Sequence, residues 1–253
     1  MIELKSPSQL EAMRRAGRIV GELLARLQAA VAPGITTGAL DALACDTIAE
    51  LGGLPAFKGY RGFPGYICTS VNDEVVHGIP GPRVLKAGDL IGLDVGACAD
   101  GYYGDAAMTV PVGAVSEEAR RLIAVTRQAI EAGIAMAVPG HRVSDISHAV
   151  QQVVEAEGFS VVREFVGHGI GTQLHEEPQV PNYGAPGTGP VLKAGMVLAI
   201  EPMVNAGRPE VEVLADGWTA VTRDRRLSAH FEHTVAITAR GPEILTQCLK
   251  KKR

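Results

Sequence analysis

The sequence predicts an α+β fold built from two similar halves. Two pairs of segments carry apolar residues at helical spacing, and each pair is followed by short β-branched runs typical of strands. The five-residue turn V-L-K-A-G occurs twice, at Val84–Gly88 and at Val191–Gly195, about a hundred residues apart. A repeat of this length is too long for a solenoid unit. We therefore expect two pseudo-symmetric halves of antiparallel sheet flanked by helices, with a site at their junction.

Two helices open the first half. Ser6, Pro7 and Gln9 form a helix-start signal, in which the serine is the cap and the glutamine completes a capping box. Apolar residues then recur at steps of three and four until Pro33-Gly34, which ends the helix. A second segment with helical spacing runs from Leu40 to Leu51 and stops at a pair of glycines.

The strand predicted from Leu90 to Val95 contains one carboxylate, Asp94. An unpaired buried carboxylate is costly unless it is compensated or loses its charge. Strand side chains alternate between faces, so Asp94 shares its face with two glycines that leave open space around it. The connection Ala99 to Gly104 predicts a hairpin turn, which would bring Asp105 into the same cavity. Two acids facing one pocket indicate a bound cation.

The second half repeats this plan. Ser116 begins a helix predicted to reach about Ala137, Pro139-Gly140 ends it, and a further helix covers Ser144 to Glu157. The strand after the second V-L-K-A-G turn carries one acid, Glu201, as the first carries Asp94. Both Glu201 and Glu232 are predicted to point from strands toward the same site.

Five polar side chains thus lie in predicted strands or glycine-rich segments: Asp94, Asp105, His168, Glu201 and Glu232. Each one alone is typical of an edge, turn or loop, but the shared pattern favours a metal site. Four carboxylates and one imidazole form a hard, oxygen-rich set that suits two divalent ions bridged by carboxylates. Such a set argues against structural zinc. Taken alone, His77 and His175 are typical of satisfied core or loop histidines.

Composition excludes several other classes. The chain has 253 residues and a net charge of −4, which gives no general reason to bind DNA or an anionic membrane. Neither a spanning apolar run nor a signal peptide is present, so we expect a cytoplasmic protein. The four cysteines are far apart, which predicts reduced thiols. The motifs G-x-S-x-G, H-E-x-x-H and G-x-x-x-x-G-K do not occur, and no glycine motif has dinucleotide-binding spacing.

Seven segments, taken together and in order, resemble the type I methionine aminopeptidases in their bacterial short form. The segments are V-N-D-E-V-V-H-G-I-P (71–80), G-L-D-V-G (92–96), G-Y-Y-G-D (101–105), G-H-G-I-G (167–171), H-E-E-P (175–178), I-E-P (200–202) and F-E-H-T (231–234). This resemblance, over about residues 2–246, implies the pita-bread (creatinase/aminopeptidase) fold. We expect a single catalytic domain over residues 1–253, with halves at about 6–110 and 116–246, acting as a monomer.

The resemblance also implies which residues form the site. Asp94 would bind one metal, Asp105 and Glu232 would bridge both, and His168 and Glu201 would hold the other. The two divalent ions are drawn from Co, Mn, Fe, Ni and Zn, and the sequence leaves that choice open. The residues that match the family's substrate contacts are His77 and His175, together with a methionine pocket of Tyr60, Phe63, Cys68 and Trp218.

Three positions depart from the family pattern. Phe57 and Leu174 stand where we expect a cysteine and an aromatic residue, and His230 stands where glutamine is common. These departures leave open the side-chain preference and the fit of inhibitors.

The implied reaction is removal of N-terminal methionine from nascent polypeptides whose second residue is small. Two metal ions lower the pKa of a bridging water, and the resulting hydroxide would attack the first peptide carbonyl. One metal would accept the free α-amine, which restricts cleavage to a chain terminus. Glu201 would move a proton to the leaving nitrogen, His175 would stabilise the oxyanion, and His77 would contact the leaving amide.

Two other functions use the same fold. A proline-directed aminopeptidase or prolidase shares the metal set, but it usually carries an extra N-terminal domain for which this chain has no room. A metal-free interaction module would have lost ligands, and none is lost here. The cationic tail from Lys250 to Arg253 also has two interpretations: a solvated terminus, or a segment that docks the enzyme on the ribosome.

Overall fold

The computed structural model describes residues 2–247, and its first half contains two helices and five strands. These elements are α1 (Pro7–Ala30), α2 (Thr37–Glu50), β1 (Leu54–Pro55), β2 (Ile67–Val71), β3 (Glu74–Val76), β4 (Leu90–Ala99) and β5 (Tyr102–Pro111). A single 3₁₀ turn, Tyr60–Gly62, lies between β1 and β2.

The second half also begins with two helices, followed within the described residues by ten short strands. They are α3 (Glu117–Ala135), α4 (Val143–Ala156), β6 (Ser160–Val161), β7 (Gly167–Gly169), β8 (Glu176–Val180), β9 (Val197–Ile200), β10 (Met203–Asn205), β11 (Val211–Val213), β12 (Ala220–Thr222), β13 (Ser228–His230), β14 (His233–Thr238) and β15 (Gly241–Ile244).

Helix starts lie where the capping residues predict them. The Ser6 side chain accepts a hydrogen bond from the Gln9 amide, and the Gln9 side chain accepts one from the Ser6 amide at 2.7 Å. Ser116 caps α3 by accepting from the Ala119 amide at 3.2 Å. These bonds satisfy amides that have no partner inside the helix, so local sequence chemistry sets both starting points.

All strand pairs within residues 2–247 are antiparallel. In the first half β4 pairs with β1, β2 and β5, and in the second half the largest sheet has the order β15-β14-β9-β7-β8. Helices α1 and α2 bury their apolar faces against the first sheet, while α3 and α4 cover the second half. This arrangement confirms the predicted α+β class with helices flanking antiparallel sheet.

The β4–β5 hairpin is tighter than the sequence indicated. Its loop is only Asp100-Gly101, and both residues have positive φ, 51° and 78°, as a two-residue hairpin turn requires. The predicted connection from Ala99 to Gly104 was therefore too long. The register still places Gly96 opposite Asp105 and Asp94 opposite Ala107, so both aspartates lie on one face, as predicted.

The duplication is visible as matching contacts in the two halves. The Gly34 amide donates to the Leu85 carbonyl at 2.8 Å, and the Gly140 amide donates to the Leu192 carbonyl at 3.0 Å. The same two segments form isolated β-bridges, Thr36 with Val84 and Arg142 with Val191. Each Pro-Gly break is thus pinned to its own V-L-K-A-G turn.

Strand β5 joins the two halves through a set of hydrogen bonds that we call the junction ladder, formed between residues 105–109 and 230–234. Ala107 and Glu232 exchange backbone hydrogen bonds of 3.3 and 2.9 Å. The Thr234 hydroxyl accepts from the Asp105 amide at 2.9 Å and donates to the Asp105 carbonyl at 2.8 Å. Thr109 makes the same pair of bonds with the backbone of His230, at 2.8 and 3.0 Å.

Thr234→Val is expected to lower the free energy of unfolding by about 1–3 kcal/mol, because a near-isosteric side chain would leave buried backbone groups of Asp105 unpaired. Thr126→Val is the matched control, since that buried hydroxyl only adds a bond of 2.7 Å to a carbonyl within α3. Urea denaturation of both variants measures the difference. Equal stability of the two variants would show that the junction ladder contributes nothing through Thr234.

Two sequence expectations concern other parts of the chain. Within residues 2–247, no helix is both long and apolar enough to cross a bilayer. In the same range, Cys45, Cys68 and Cys98 are free thiols. Cys248 and the cationic tail lie outside the described residues.

Candidate metal centre

A cavity at the junction of the two halves contains every site residue predicted from the sequence. Its walls include the five predicted metal ligands, the two predicted substrate-contacting histidines and the four residues predicted to hold the methionine side chain. The three residues that depart from the family pattern, Phe57, Leu174 and His230, line the same cavity. The structure therefore brings the predicted set together, and the role of each residue stays a prediction.

Three of the carboxylates contain a buried oxygen with no hydrogen-bond partner among the described residues: Oδ1 of Asp94, Oδ1 of Asp105 and Oε1 of Glu232. Asp105 and Glu232 are only 4% and 3% exposed. An ionised carboxylate left in this state is strongly destabilising unless a cation compensates it. The cavity therefore suits a metal ion, which would satisfy these orphaned oxygens.

Burial and mutual repulsion raise the pKa of every acid in the cluster. Burial raises the pKa of Asp94 to about 7, although the Cys68 thiol opposes this shift by donating a hydrogen bond to the carboxylate. The pKa values of Asp105, Glu201 and Glu232 lie well above the usual range, first because of burial and then because neighbouring carboxylates repel one another. A divalent cation would reverse both effects by favouring the ionised form.

His168 is presented by β7, between two glycines that allow close backbone approach. Its Nδ1 lies 2.8 Å from the Gly169 carbonyl oxygen, which can only accept, so we assign the ring proton to Nδ1. The lone pair of Nε2 then faces Glu201, whose Oε1 is 3.4 Å away. Burial lowers the pKa of His168 to about 4, which keeps the imidazole neutral and able to bind a metal.

Two groups of three donors each converge within 4.8 Å: Asp105 with His168 and Glu232, and Glu201 with His230 and Glu232. Glu232 belongs to both groups, as a bridging carboxylate would. Asp94 is outside both, although it shares a sheet face with Asp105. This donor set fits two neighbouring divalent cations.

Two of these acids do not lie in the strands predicted for them. Strand β9 ends at Ile200, so Glu201 follows it, and strand β14 begins at His233, so Glu232 precedes it. The sequence predicted strands from Met196 to Pro202 and from Phe231 to Thr238, so the predicted ends of both strands were wrong. Instead, the Glu201 carbonyl accepts a bond of 3.0 Å from Asn182, and the junction ladder fixes the backbone of Glu232.

His230 was missed as a member of the cluster. It ends β13 and is 4% exposed, and burial lowers its pKa to about 3. Two signals pointed to it: the departure from glutamine at this position, and its place directly before Phe231 and Glu232.

Aromatic rings and histidines form the wall of the cavity beside the acids. Trp218 packs edge-on against Phe63, with ring centroids 5.1 Å apart, and against His77 at 6.3 Å. The Tyr60 hydroxyl lies 2.8 Å from Nδ1 of His175, and the two rings stack. An apolar wall that adjoins a polar cluster suits a ligand with an apolar side chain next to a polar backbone.

Phe57 and His77 each adjoin the cavity in a way that the backbone determines. A Cβ built on Gly96 would lie 2.6 Å from the Phe57 ring, so the ring rests directly on the strand that carries Asp94. His77 has a φ of +61°, in the left-handed region, directly after β3.

Burial lowers the pKa of His77 to about 4 and also lowers the pKa of His175, so both imidazoles are neutral near pH 7.

The chain matches metallopeptidase family M24 over residues 11–239. It is 56% identical over 247 residues to methionine aminopeptidase 1 of Bacillus subtilis, which covers 98% of this chain and 100% of that protein. It is 45% identical over 247 residues to the methionine aminopeptidase of Escherichia coli K12, with 97% of this chain and 94% of that protein covered.

Solved structures agree with these relatives. The crystal structure of methionine aminopeptidase from Thermotoga maritima has a TM-score of 0.96 at 50% identity, covering 98% of this chain and 100% of that chain. The prolidase from Pyrococcus furiosus has a TM-score of 0.80 at 22% identity, covering 98% of this chain and 66% of that chain, a likeness that shows the fold alone. The predicted pita-bread fold is confirmed. The chain therefore belongs to metallopeptidase family M24 and, within it, to the methionine aminopeptidases.

Proposed function

We propose that this enzyme removes the N-terminal methionine from nascent polypeptides whose second residue is small. The observation that carries the proposal is the apolar pocket that directly adjoins a cluster of buried, orphaned carboxylates. The identity to methionine aminopeptidases supports the choice of substrate. The whole chain, residues 1–253, would form one catalytic domain whose halves span about 6–110 and 116–246.

Five residues would hold two divalent cations. Asp94 would bind one ion, Asp105 and Glu232 would bridge both, and His168 and Glu201 would hold the other. When bound, the ions supply Lewis acidity that activates water and polarises the peptide carbonyl. Co, Mn, Fe, Ni and Zn each suit this mixture of carboxylate and imidazole donors. Metal analysis of protein purified from unsupplemented cells would identify the native ion.

His175 would stabilise the negative charge that develops on the carbonyl oxygen. If the Tyr60 hydroxyl donates its bond of 2.8 Å to Nδ1, the single proton of the neutral imidazole lies on Nε2. That N–H would donate to the oxyanion, an interaction that strengthens in the transition state. Tyr60 thereby fixes both the orientation and the tautomer of His175.

Proton transfer would involve Glu201 and His77. The Glu201 carboxylate would accept a proton at one oxygen and deliver it to the leaving nitrogen. His77, which is neutral and held edge-on against Trp218, would hydrogen-bond the leaving amide. Glu201 would thus transfer the proton, and His77 would position the leaving amide.

The methionine side chain would lie among Tyr60, Phe63, Cys68 and Trp218. A thioether is polarizable and makes favourable contacts with aromatic rings, so this wall favours methionine over a straight alkyl chain. Phe57 and Leu174 complete the pocket and would tune its depth.

The rates of hydrolysis of Met-Ala-Ser, Met-Leu-Ser and Ala-Pro-Ser by the metal-loaded enzyme test the proposal. We expect rapid cleavage of Met-Ala-Ser, slow cleavage of Met-Leu-Ser and none of Ala-Pro-Ser. Preferential cleavage of the proline peptide would assign a proline-directed aminopeptidase activity instead. Absence of all cleavage at every metal tried would favour an interaction module.

His175→Ala is expected to lower kcat by about 10² or more without changing the metal content, because the lost donor acts on the transition state. Tyr60→Phe keeps the ring but loses the hydroxyl, and we expect a smaller decrease. His148→Ala serves as the control, since His148 bonds the Gly184 carbonyl away from the cavity. Loss of metal from the His175 variant would make His175 a ligand and contradict its assigned role.

We further propose that the enzyme is a cytoplasmic monomer whose tail, residues 250–253, helps it dock on the ribosome. The four consecutive cations of the tail contrast with the net charge of −4 of the whole chain. Deleting the tail should weaken co-sedimentation with ribosomes in a salt-dependent manner and leave hydrolysis of a free tripeptide unchanged. Unchanged co-sedimentation at low salt would leave the tail as a solvated terminus.

A further inference from the structure

We propose that His230 is itself a metal ligand, so that this chain's centre uses two imidazoles rather than one. The inference rests on the proposed function, because it assumes the dinuclear site, and it adds a ligand that the family pattern does not supply. Glutamine is common at this position in the family, so the added ligand would distinguish this chain from its relatives.

The backbone of His230 is rigidly held. Its amide donates to the Thr109 hydroxyl at 2.8 Å, and its carbonyl accepts from the same hydroxyl at 3.0 Å. On the other side it pairs with Met203 of β10. The side chain therefore emerges at a fixed place in the cavity wall.

Nε2 of His230 is buried and has no hydrogen-bond partner among residues 2–247. A buried polar nitrogen without a partner is rare in folded proteins and carries a cost in stability. Few buried side-chain nitrogen and oxygen atoms in the described residues lack a partner, and three of the others are the carboxylate oxygens of Asp94, Asp105 and Glu232. The orphaned nitrogen is thus part of the same unsatisfied cluster as the acids.

The separation of His230 from Glu201 suits shared coordination. Nε2 of His230 lies 4.0 Å from Oε2 of Glu201, which is too long for a hydrogen bond. Two ligands that each lie about 2.0–2.2 Å from one cation are separated by at most about twice that distance. The other carboxylate oxygen, Oε1, lies 3.4 Å from Nε2 of His168. Glu201 therefore stands between two imidazoles, one on each oxygen.

The two donor groups each contain one imidazole and share Glu232. The cation that His168 and Glu201 would hold, together with the bridging Asp105 and Glu232, would also take His230, and Asp94 would bind its neighbour. An imidazole is a better ligand than an amide for Zn, Co and Ni, whereas Mn prefers oxygen donors. His230 would thus shift the metal preference of this chain away from Mn.

The test is a ¹⁵N NMR spectrum of the protein with ¹⁵N-labelled histidine rings and with ¹¹³Cd²⁺ as the only metal. One-bond coupling between ¹¹³Cd and ¹⁵N is transmitted only through a coordinate bond, so it counts ligating nitrogens among the seven histidines. We expect coupling at one ring nitrogen of His168 and at one of His230. His230→Gln should remove only the second coupling, and His141→Gln, a distant control, should remove neither.

The possible outcomes separate this inference from the proposed function. Coupling at His168 alone would overturn the role of His230 and leave the dinuclear site standing. Coupling at neither histidine would overturn both proposals. A wild-type spectrum with fewer than two coupled nitrogens would already overturn the role of His230, so the test holds even if His230→Gln fails to fold.

Calorimetric titration of the metal-free protein provides a second readout. Zn²⁺ should bind His230→Gln about tenfold or more weakly than wild type, since losing even an outer partner of a ligand costs that much. Mn²⁺ binding should change less than Zn²⁺ binding, and His141→Gln should bind both ions as wild type does. Equal weakening for both ions, or no weakening, would contradict the assignment.

Discussion

Replacement of either Asp105 or Glu232 with alanine is expected to reduce hydrolysis of Met-Ala-Ser to the background rate. Each carboxylate is placed to serve both cations, so its loss would remove a ligand from both at once. Asp105 lies opposite Gly96 in the register of β4 and β5, and Glu232 is the residue that both donor groups share. The kcat/KM value and the metal content of each purified variant are the measurements.

Two further variants make this prediction specific. Asp105→Asn keeps the size of the side chain but not its charge, and it should be as inactive as the alanine variant. Glu212→Ala removes a carboxylate that pairs with Arg225 on the surface, and it should behave as wild type. Retained turnover with two bound ions in the Asp105 or Glu232 variant would refute the bridging assignment.

Removal of the divalent ions is expected to destabilise the protein, and increasingly so as the pH rises above about 6.5. The four site acids have pKa values raised by burial, so above about pH 4 these acids bind more protons in the metal-free folded state than in the unfolded state. Their contribution to stability therefore falls as the pH rises. Bound cations would remove this dependence by favouring the ionised carboxylates.

The buried histidines set the pH range of this experiment. Burial lowers the pKa of His77, His168, His230 and His233 to about 3–4, so their contribution to stability rises with pH. This rise is nearly complete at the unfolded histidine pKa of about 6.5. Above that pH most of the remaining change comes from the acids.

The measurement is the Tm of chelator-treated and metal-loaded protein at about pH 6.5 and pH 8. We expect the Tm of the metal-free protein to fall between the two values and that of the loaded protein to change less. Metal-free Asp105→Asn lacks one raised acid and should show a smaller fall. A metal-free Tm that is constant or higher at pH 8 would show that the carboxylates are not strained by burial.

The sequence was informative where local chemistry decides the structure. Capping by Ser6 and Ser116 follows from hydrogen bonds within a few residues, and the alternation of faces along β4 and β5 placed Asp94 and Asp105 correctly. The family motifs then identified a set of residues that all line one cavity. Each of these inferences needed only neighbouring positions or a known order of motifs.

Long-range contacts decide what the sequence did not reveal. The ends of β9 and β14 are set by partners elsewhere in the chain, which is why Glu201 and Glu232 were wrongly placed inside strands. The sequence marked His230 only as a departure from the family pattern, because its distance of 4.0 Å to Glu201 depends on tertiary packing. Period-2 patterns contain no information about such distances.

The junction ladder has a consequence for the order of events in folding. Thr234 and Asp105 are 129 positions apart in sequence, so their contact forms only after a very long loop has closed. We therefore expect the cluster of acids to be assembled late, when both halves already have their own helices and sheets. A cation that recognises this cluster has little to bind before that step. It should slow the unfolding rate far more than it accelerates folding.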